Sequence, residues 1–463
     1  MEMSPNTPKA YQLLHEGTLA LARAERQGMR VDVEYCERKQ NHLTRSIARL
    51  ERKFMESEFG KEWSTLYGKT TNINSDTQLG RLLYQIRKLE PPKKTTNGKG
   101  STDEESLTQL PVPELKTLIR MRKLRKVRDT YLGGFYKEQV DGVLHPSFNL
   151  HTVQTYRSSS SSPNFQNVPK RDKEAMETCR RALYPRLGNQ LVEVDYSGIE
   201  VRVAATYHKD PVMLKYILDP TTDMHGDMAK QIFLLDDMDK TISSHKTLRN
   251  AAKNGFVFPQ FYGDYYVSCA ENLACRWGNL PKSKWKQKQG MEMADGFLSD
   301  WMINHGINSF DKFQEHIRKI ENHFWNTRFK VYQKWKDTWL NEYQNKGYFD
   351  MHTGFRCQGS MGRNDVINYP VQGAAFHCLL WSLVEIDKEI MKKNLNTRII
   401  GQIHDAIVLD MAPEEKDEVF VLLRKVMCQD LPKAWKWINV PLDIEADIGE
   451  IDASWADVKA VEI

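Results

Sequence analysis

The chain has 463 residues, of which 27% are charged and 40% hydrophobic. That balance fits a folded globular protein of roughly three domains and excludes a disordered or fibrous one. The net charge of +5 permits a polyanionic partner without arguing for it, so the placement of charge matters more than its sum.

The opening MEMSPNTPKAYQ lacks the basic-then-apolar order of a secretory signal. No apolar run approaches the ~18 residues of a membrane helix, so the expectation is a cytoplasmic protein without membrane contact. The periodicity predicts a helix over 10–27, with Leu13, Leu14, Leu19 and Leu21 on its apolar stripe and Gly28 as its stop. A second helix is expected over 34–58, with Leu43, Ile47, Leu50 and Phe54 inward. Asp32-Val33-Glu34 reads as its turn and start. Two long helices with polar outer faces suggest a projecting arm. Ser75-Asp76-Thr77-Gln78 is a capping-box pattern, Pro91 and Pro92 end the helix it opens, and Ser101-Thr102-Asp103-Glu104 is a second such pattern. Between them lies a basic loop, 93–100, with Lys94 and Lys99. The helix expected over 114–131 carries Lys116, Arg120, Arg122, Lys123, Arg125, Lys126 and Arg128. Such a run is either a solvated face or a phosphate-tracking arm, and the adjacent basic loop favours the latter.

After Gly133-Gly134 short apolar runs alternate with helices, which indicates an α+β body. The seven cysteines are scattered without a CxxC pair, so neither a disulfide framework nor a zinc site is expected.

Two apolar runs carry acids. Residues 191–194 lead into Asp195, and 403–409 are interrupted by His404-Asp405. A carboxylate inside a strand is costly unless it is paired, hydrogen-bonded or bound to a metal. Each is either a strand-end turn residue or half of a pair that holds cations for phosphoryl transfer. In 245–263, Arg249 and Lys253 share one helix face, and Phe258 and Tyr262 repeat that spacing. Two cations followed by two rings suit a nucleoside triphosphate, or simply an amphipathic helix. His225, two residues after Asp223, is either structural or a donor to a phosphate.

Taken in order, these segments resemble the family A DNA polymerases of the bacterial DNA polymerase I type. Residues 155–160 (TYRSSS) and 163–169 (PNFQNVP), 195–202 (DYSGIEVR), 249–263, 368–373 (NYPVQG) and His404-Asp405 follow the family's motifs in sequence. The resemblance implies a right-hand fold: an α+β architecture with an antiparallel palm sheet and helical thumb and fingers. The thumb would be 1–139, with its N-terminal helix on the palm. The palm would be 140–207 and 350–463. The fingers would be 208–349, with an insertion at about 265–315 that holds Trp277, Trp285 and Trp301. The implied activity is DNA-directed synthesis from dNTPs on a primer–template. A single-subunit RNA polymerase and an inactive DNA-binding homologue are the alternatives.

By the same resemblance Asp195 and Asp405, with the Tyr196 carbonyl, would bind two Mg²⁺ ions, with Mn²⁺ as a possible substitute. Arg249, Lys253 and His225 would hold the triphosphate, and Lys253 would protonate the pyrophosphate. Glu200 would exclude a ribose 2′-hydroxyl beside Tyr262, and Phe258 would pack on the incoming nucleotide. Arg157, Gln166, Asn167, Asn368, Gln372 and His404 would contact DNA, as would Lys94 and Lys99 near the thumb tip. The chain departs from the family in three places. Gly198 replaces a glutamine, and Ala406 a glutamate. Phe258 lies five residues after Lys253 instead of four, and Pro259 stands where the family has glycine. Proline removes an N–H and crowds the carbonyl four residues back, so a π-bulge or kink near Gly255 is expected. A regular helix would put Val257 in the site instead. A proofreading domain would need ~150 further residues upstream, so none is expected on this chain. The compact chain suggests a viral or phage replication enzyme, with a separate exonuclease or processivity factor as possible partners.

Overall fold

The computed structural model describes every residue except Met1, Thr96, Arg171 and His404. A five-stranded antiparallel sheet forms the body. Its spatial order is Arg398–Ile403, Ala406–Met411, Gln190–Tyr196, Ile444–Ile448 and Lys459–Val461. Side chains alternate across a strand, and the central strand uses both faces. Val192, Val194 and Tyr196 join the core under the long helix Arg363–Lys392. Leu191 joins a second core on the opposite face, and the two-residue period places Glu193 and Asp195 there too. The run 403–409 forms a hairpin and not one continuous strand. Ile403 ends one strand, Ala406 begins the next, and Asp405 lies in the turn between them.

The N-terminal helix Pro8–Gln27 lies on the long helix. Arg23 Nε donates to Asp387 at 2.8 Å. Its buried side is Ala10, Leu13, Gly17, Ala20, Leu21 and Ala24. Small residues allow the close approach: a Cβ at Gly17 would meet Leu380 at 2.8 Å. Leu19, expected on the apolar stripe, faces out and is 46% exposed, because the contact line follows these small residues.

Residues 33–144 form an arm. Its base shares a core with the sheet through Leu124, Val127, Phe135, Leu191, Ile400 and Val408. Its tip has a separate core of Phe54, Phe59, Trp63, Leu79, Leu82 and Leu118. Asp32 caps the helix Val33–Glu56, accepting from Tyr35 N at 2.7 Å. In the second capping pattern Asp103, not Ser101, is the cap: its carboxylate accepts from Ser106 N at 2.8 Å. The cations of the helix Leu115–Arg125 and the turn after it mostly serve the arm itself. Arg122 pairs with Asp76 at 2.7 Å, Lys123 with Glu104 at 2.8 Å, Arg120 with Glu174, Arg125 with Glu51, and Arg128 with Asp129. Apart from Asp129, next to Arg128, carboxylates distant in sequence neutralise a run that reads as free positive charge. Lys116 and Lys126 are exposed and have no ion pair among the described residues.

Residues 199–346 form a helical lobe built on Phe256, Val257, Leu273, Trp285, Phe313 and Phe324. Asp210, 1% exposed, holds two of its helix starts together. One carboxylate oxygen accepts from Val212 N and Met213 N, and the other from Val331 N and Tyr332 N. In the segment 265–315, Trp285 is buried and Trp301 Nε1 donates to the Phe233 carbonyl at 2.9 Å, so these rings pack. Among the described residues no helix is long and apolar enough to cross a membrane.

Candidate active site

Gly198 takes φ +61° and turns the central strand into the helix Ile199–His208, which sets Glu200 one turn beyond Asp195. Asp195 pairs with Ala406 on one neighbouring strand and with Glu445 on the other, which brings the Asp405 turn beside it. Both aspartates line a cavity of about 500 Å³, together with Glu200, Lys253, Phe258, Tyr262, Asn368 and Gln372. Lys170 and Tyr332 line it as well.

Asp195 is first of all a buried carboxylate, with other acids around it. Burial, then the charges of Asp405, Glu193 and Glu445, push its pKa up to about 6, against the pull of Lys170. Its Oδ1 is buried with no hydrogen-bond partner among the described residues. A buried, unsatisfied oxygen next to a second acid suits a divalent cation. Among the described residues no three His, Cys, Asp or Glu side chains converge as a metal site. The Asp195–Asp405 pair fits an ion such as Mg²⁺, which takes one or two carboxylates and completes its shell with water and phosphate. The Tyr196 side chain points away into the core, where its hydroxyl bonds Ser382 Oγ at 2.8 Å, so only its backbone is left for the site.

Glu200 is held from two sides, by the Arg157 guanidinium and by the Tyr262 hydroxyl. Arg157 also lies 3.8 Å from Asp405. Asn368 Nδ2 donates to the Tyr262 carbonyl at 2.9 Å and ties the long helix to the lobe.

Lys253, which lines the cavity, opens the π-helical turn Lys253–Val257 that continues the helix Ser243–Ala252. Phe258 N–H bonds the Lys253 carbonyl, five residues back. The wider turn absorbs the extra residue. Val257 is buried in the lobe core, whereas Phe258 faces the cavity with Lys253 Nζ 5.3 Å from its ring centroid. The irregular spacing and Pro259 were the signals for this turn. Arg249 is already engaged by Asp223, with bonds of 2.7 and 2.8 Å, and Lys240 reaches the same carboxylate at 3.0 Å. Those hydrogen bonds and charges hold Asp223 well below the usual carboxylate range. His225 packs edge-on to Phe258 at 5.7 Å. Burial, Arg249 and Lys253 lower its pKa to about 4, so it is neutral near pH 7.

Arg157, His225 and Arg249 are near this cavity through Glu200, Phe258 and the helix Ser243–Ala252 but do not line it, and the other described candidates lie outside it. Gln166 Nε2 donates to Ser158 Oγ at 2.7 Å and Gln402 Oε1 at 3.0 Å, a network beneath the sheet hairpin. Asn167 is exposed, and Lys94 and Lys99 stand on the arm tip loop. His404 is outside the described residues.

Sequence reasoning missed Lys170 and Glu445. Lys170 Nζ lies 3.0 Å from Glu193, whose buried carboxylate also meets Arg180 at 3.0 Å and Trp455 Nε1 at 3.1 Å. Glu445 accepts from Ser197 Oγ at 2.9 Å. Glu445 stands in an alternating strand with no motif around it, and only the strand register places it beside Asp195.

The family model for DNA polymerase family A matches residues 33–457. DNA polymerase I of Aquifex aeolicus is 29% identical over 435 residues, covering 93% of this chain and 65% of that protein. DNA polymerase I of Geobacillus stearothermophilus is 27% identical over 455 residues, covering 95% and 45%. The chain thus spans less than two-thirds of these curated relatives. The POL domain of Pol1 from M. smegmatis, solved in complex with DNA primer–template and dNTP, shares the fold with a TM-score of 0.74 at 22% identity, covering 96% of this chain and 70% of that one. With the match spanning residues 33–457 and the two acids, Glu200, Lys253, Phe258 and Tyr262 meeting in one cavity, this chain belongs to the family A DNA polymerases.

Proposed function

We propose that the chain is a template-directed DNA polymerase that adds dNTPs to a primer 3′-hydroxyl. The observation that carries this reading is the meeting of Asp195 and Asp405 opposite Lys253 and Phe258 in one cavity. In this reading the sheet body is the palm, the arm the thumb and the lobe the fingers. When bound at the aspartate pair, two Mg²⁺ ions, or Mn²⁺ in their place, would acidify the primer hydroxyl and neutralise the leaving pyrophosphate.

The chain's own residues do the rest. Lys253 supplies a charge-assisted donor to the triphosphate and a proton to the departing pyrophosphate. Asp223 holds Arg249 in place through two of its donors, and the guanidinium donors left over would serve the same phosphates. Neutral His225 donates one N–H to them. Phe258 stacks on the nucleotide, and Glu200, pinned by Arg157 and Tyr262, fills the space a 2′-hydroxyl would need. Asn368, Gln372 and Arg157 face the primer terminus, where minor-groove acceptors are nearly independent of sequence.

Primer extension on a DNA template with four dNTPs and Mg²⁺ tests the reading. The wild type extends the primer, and Asp405→Ala loses at least about 10²–10³-fold in rate, as expected when stabilisation of developing charge is removed. DNA binding without extension by the wild type would leave a binding homologue, and ribonucleotide incorporation equal to that of dNTPs would favour an RNA polymerase.

A further inference from the structure

Three contacts link body, arm and lobe into a closed circuit. The arm base shares its core with the sheet. The lobe joins the body where Trp339 Nε1 donates to the Val366 carbonyl at 3.0 Å and Asn368 meets Tyr262. The third contact joins the arm tip to the lobe. Arg276 lies 2.8 Å from Glu105. Beside that pair, arm residues Pro91 and Leu110 and lobe residues Cys275 and Leu280 line one cavity of about 920 Å³.

The character of the third contact differs from the other two. The first is a shared core, and the second adds to its hydrogen bonds the packing of lobe residues Ile199, Val203 and Ala204 in the core of the body. The third is a partly exposed ion pair, with Arg276 44% and Glu105 27% exposed, over an open cavity. Exposed pairs are weak and screened by salt. The circuit therefore has two packed joints and one joint that opens at little cost.

We propose that the chain encircles its duplex: the arm tip closes on the 265–315 segment over the bound primer–template, and the Arg276–Glu105 joint is the gate through which DNA enters. The inference rests on the polymerase reading and gives the 265–315 segment a topological role. Once the gate is locked, closure retains DNA without adding phosphate contacts, so retention by the locked ring should survive salt that abolishes electrostatic binding.

The test locks the gate. Glu105→Cys and Arg276→Cys are combined in a Cys275→Ser, Cys428→Ser background, because the other five cysteines are buried. A short, reducible bis-maleimide then joins the two new thiols. The unlinked variant should extend a linear primed template; failure there would count against the polymerase reading and not against the ring. Linked before DNA is added, the enzyme should bind a linear primed duplex with free ends but lose at least about tenfold in binding to a covalently closed primed circle, as the steric exclusion of endless DNA requires. Linked after loading on that circle, it should stay bound between 50 and 200 mM salt, where electrostatic binding falls on the order of 10³-fold, and be released on reduction or when the circle is cut. Equal binding of circle and linear DNA by the pre-linked enzyme would overturn the proposal. So would exclusion of both, which would make the contact a closed gate over an empty cleft. Failure of the two thiols to cross-link with DNA bound would overturn it as well.

Discussion

Glu200 and Lys336 are both restrained acidic or basic groups, and the restraint is what makes each one testable. The Glu200 carboxylate is fixed by Arg157 and the Tyr262 hydroxyl, so it cannot swing aside for a larger sugar. Glu200→Ala should raise the ratio of kcat/KM for ribonucleotides over deoxynucleotides by on the order of tenfold or more, in the range of one added or removed group in a fitted pocket. Single-nucleotide incorporation measures it, and an unchanged ratio would remove Glu200 from sugar selection. Lys336 is 3% exposed, with its Nζ 3.0 Å from the Trp325 ring centroid. Burial, then the charge of Arg363, lowers its pKa from 10.5 to about 7. The folded value lies below the unfolded one, so between pH 7 and 10.5 the unfolded chain holds the extra proton and stability rises with pH. Below about pH 7 this contribution is flat. Urea midpoints across that window should climb for the wild type and climb less for Lys336→Met. Neither the restraint on Glu200 nor the burial of Lys336 is visible in the sequence, where one is a helix-start acid and the other part of an ordinary charged helix.

At the scale of the element, the fingers helix shows how one extra residue is accommodated. Pro259 leaves the Gly255 carbonyl without an N–H four residues on, and the turn widens so that Phe258 bonds Lys253 instead. The widening rotates Val257 into the core and Phe258 into the cavity. The two positions should therefore respond oppositely. Val257→Ala should cost about 2 kcal/mol of stability as a buried truncation with little change in nucleotide KM. Phe258→Ala should raise KM for dNTPs by on the order of tenfold, the scale of one lost ring–base stack, with little change in thermal stability. Paired melting and steady-state kinetics separate them, and the reverse pattern would put Val257 in the site. This element was legible in the sequence because the cause is local: a proline and a spacing. The capping at Asp103 was half legible, since the pattern marked the helix start but hydrogen bonding chose which of two polar residues serves as the cap.

At the scale of the whole molecule, charge is organised by tertiary structure. Five cations of the arm helix are spent on Asp76, Glu104, Glu174, Glu51 and Asp129, and Lys116 and Lys126 remain exposed. If these two contact phosphate, Lys116→Ala and Lys126→Ala should each reduce the slope of log affinity against log salt by about one, and Arg122→Ala by much less. Binding titrations at several salt concentrations decide it, and an equal effect of all three would return the whole helix to DNA.

Residue types and short-range spacings were enough to read the family, the α+β body, the order of the motif residues and the turn near Gly255, because each depends on a short stretch of chain. Only the tertiary structure decided that Asp195 sits between Ala406 and Glu445, that Lys170 and Glu193 share a buried network beside it, that the arm's charge is largely neutralised, and that arm tip and lobe touch at Glu105 and Arg276. Those facts follow from strand register and from Coulombic pairing between segments far apart along the chain. Neither leaves a periodic or compositional trace in either segment alone.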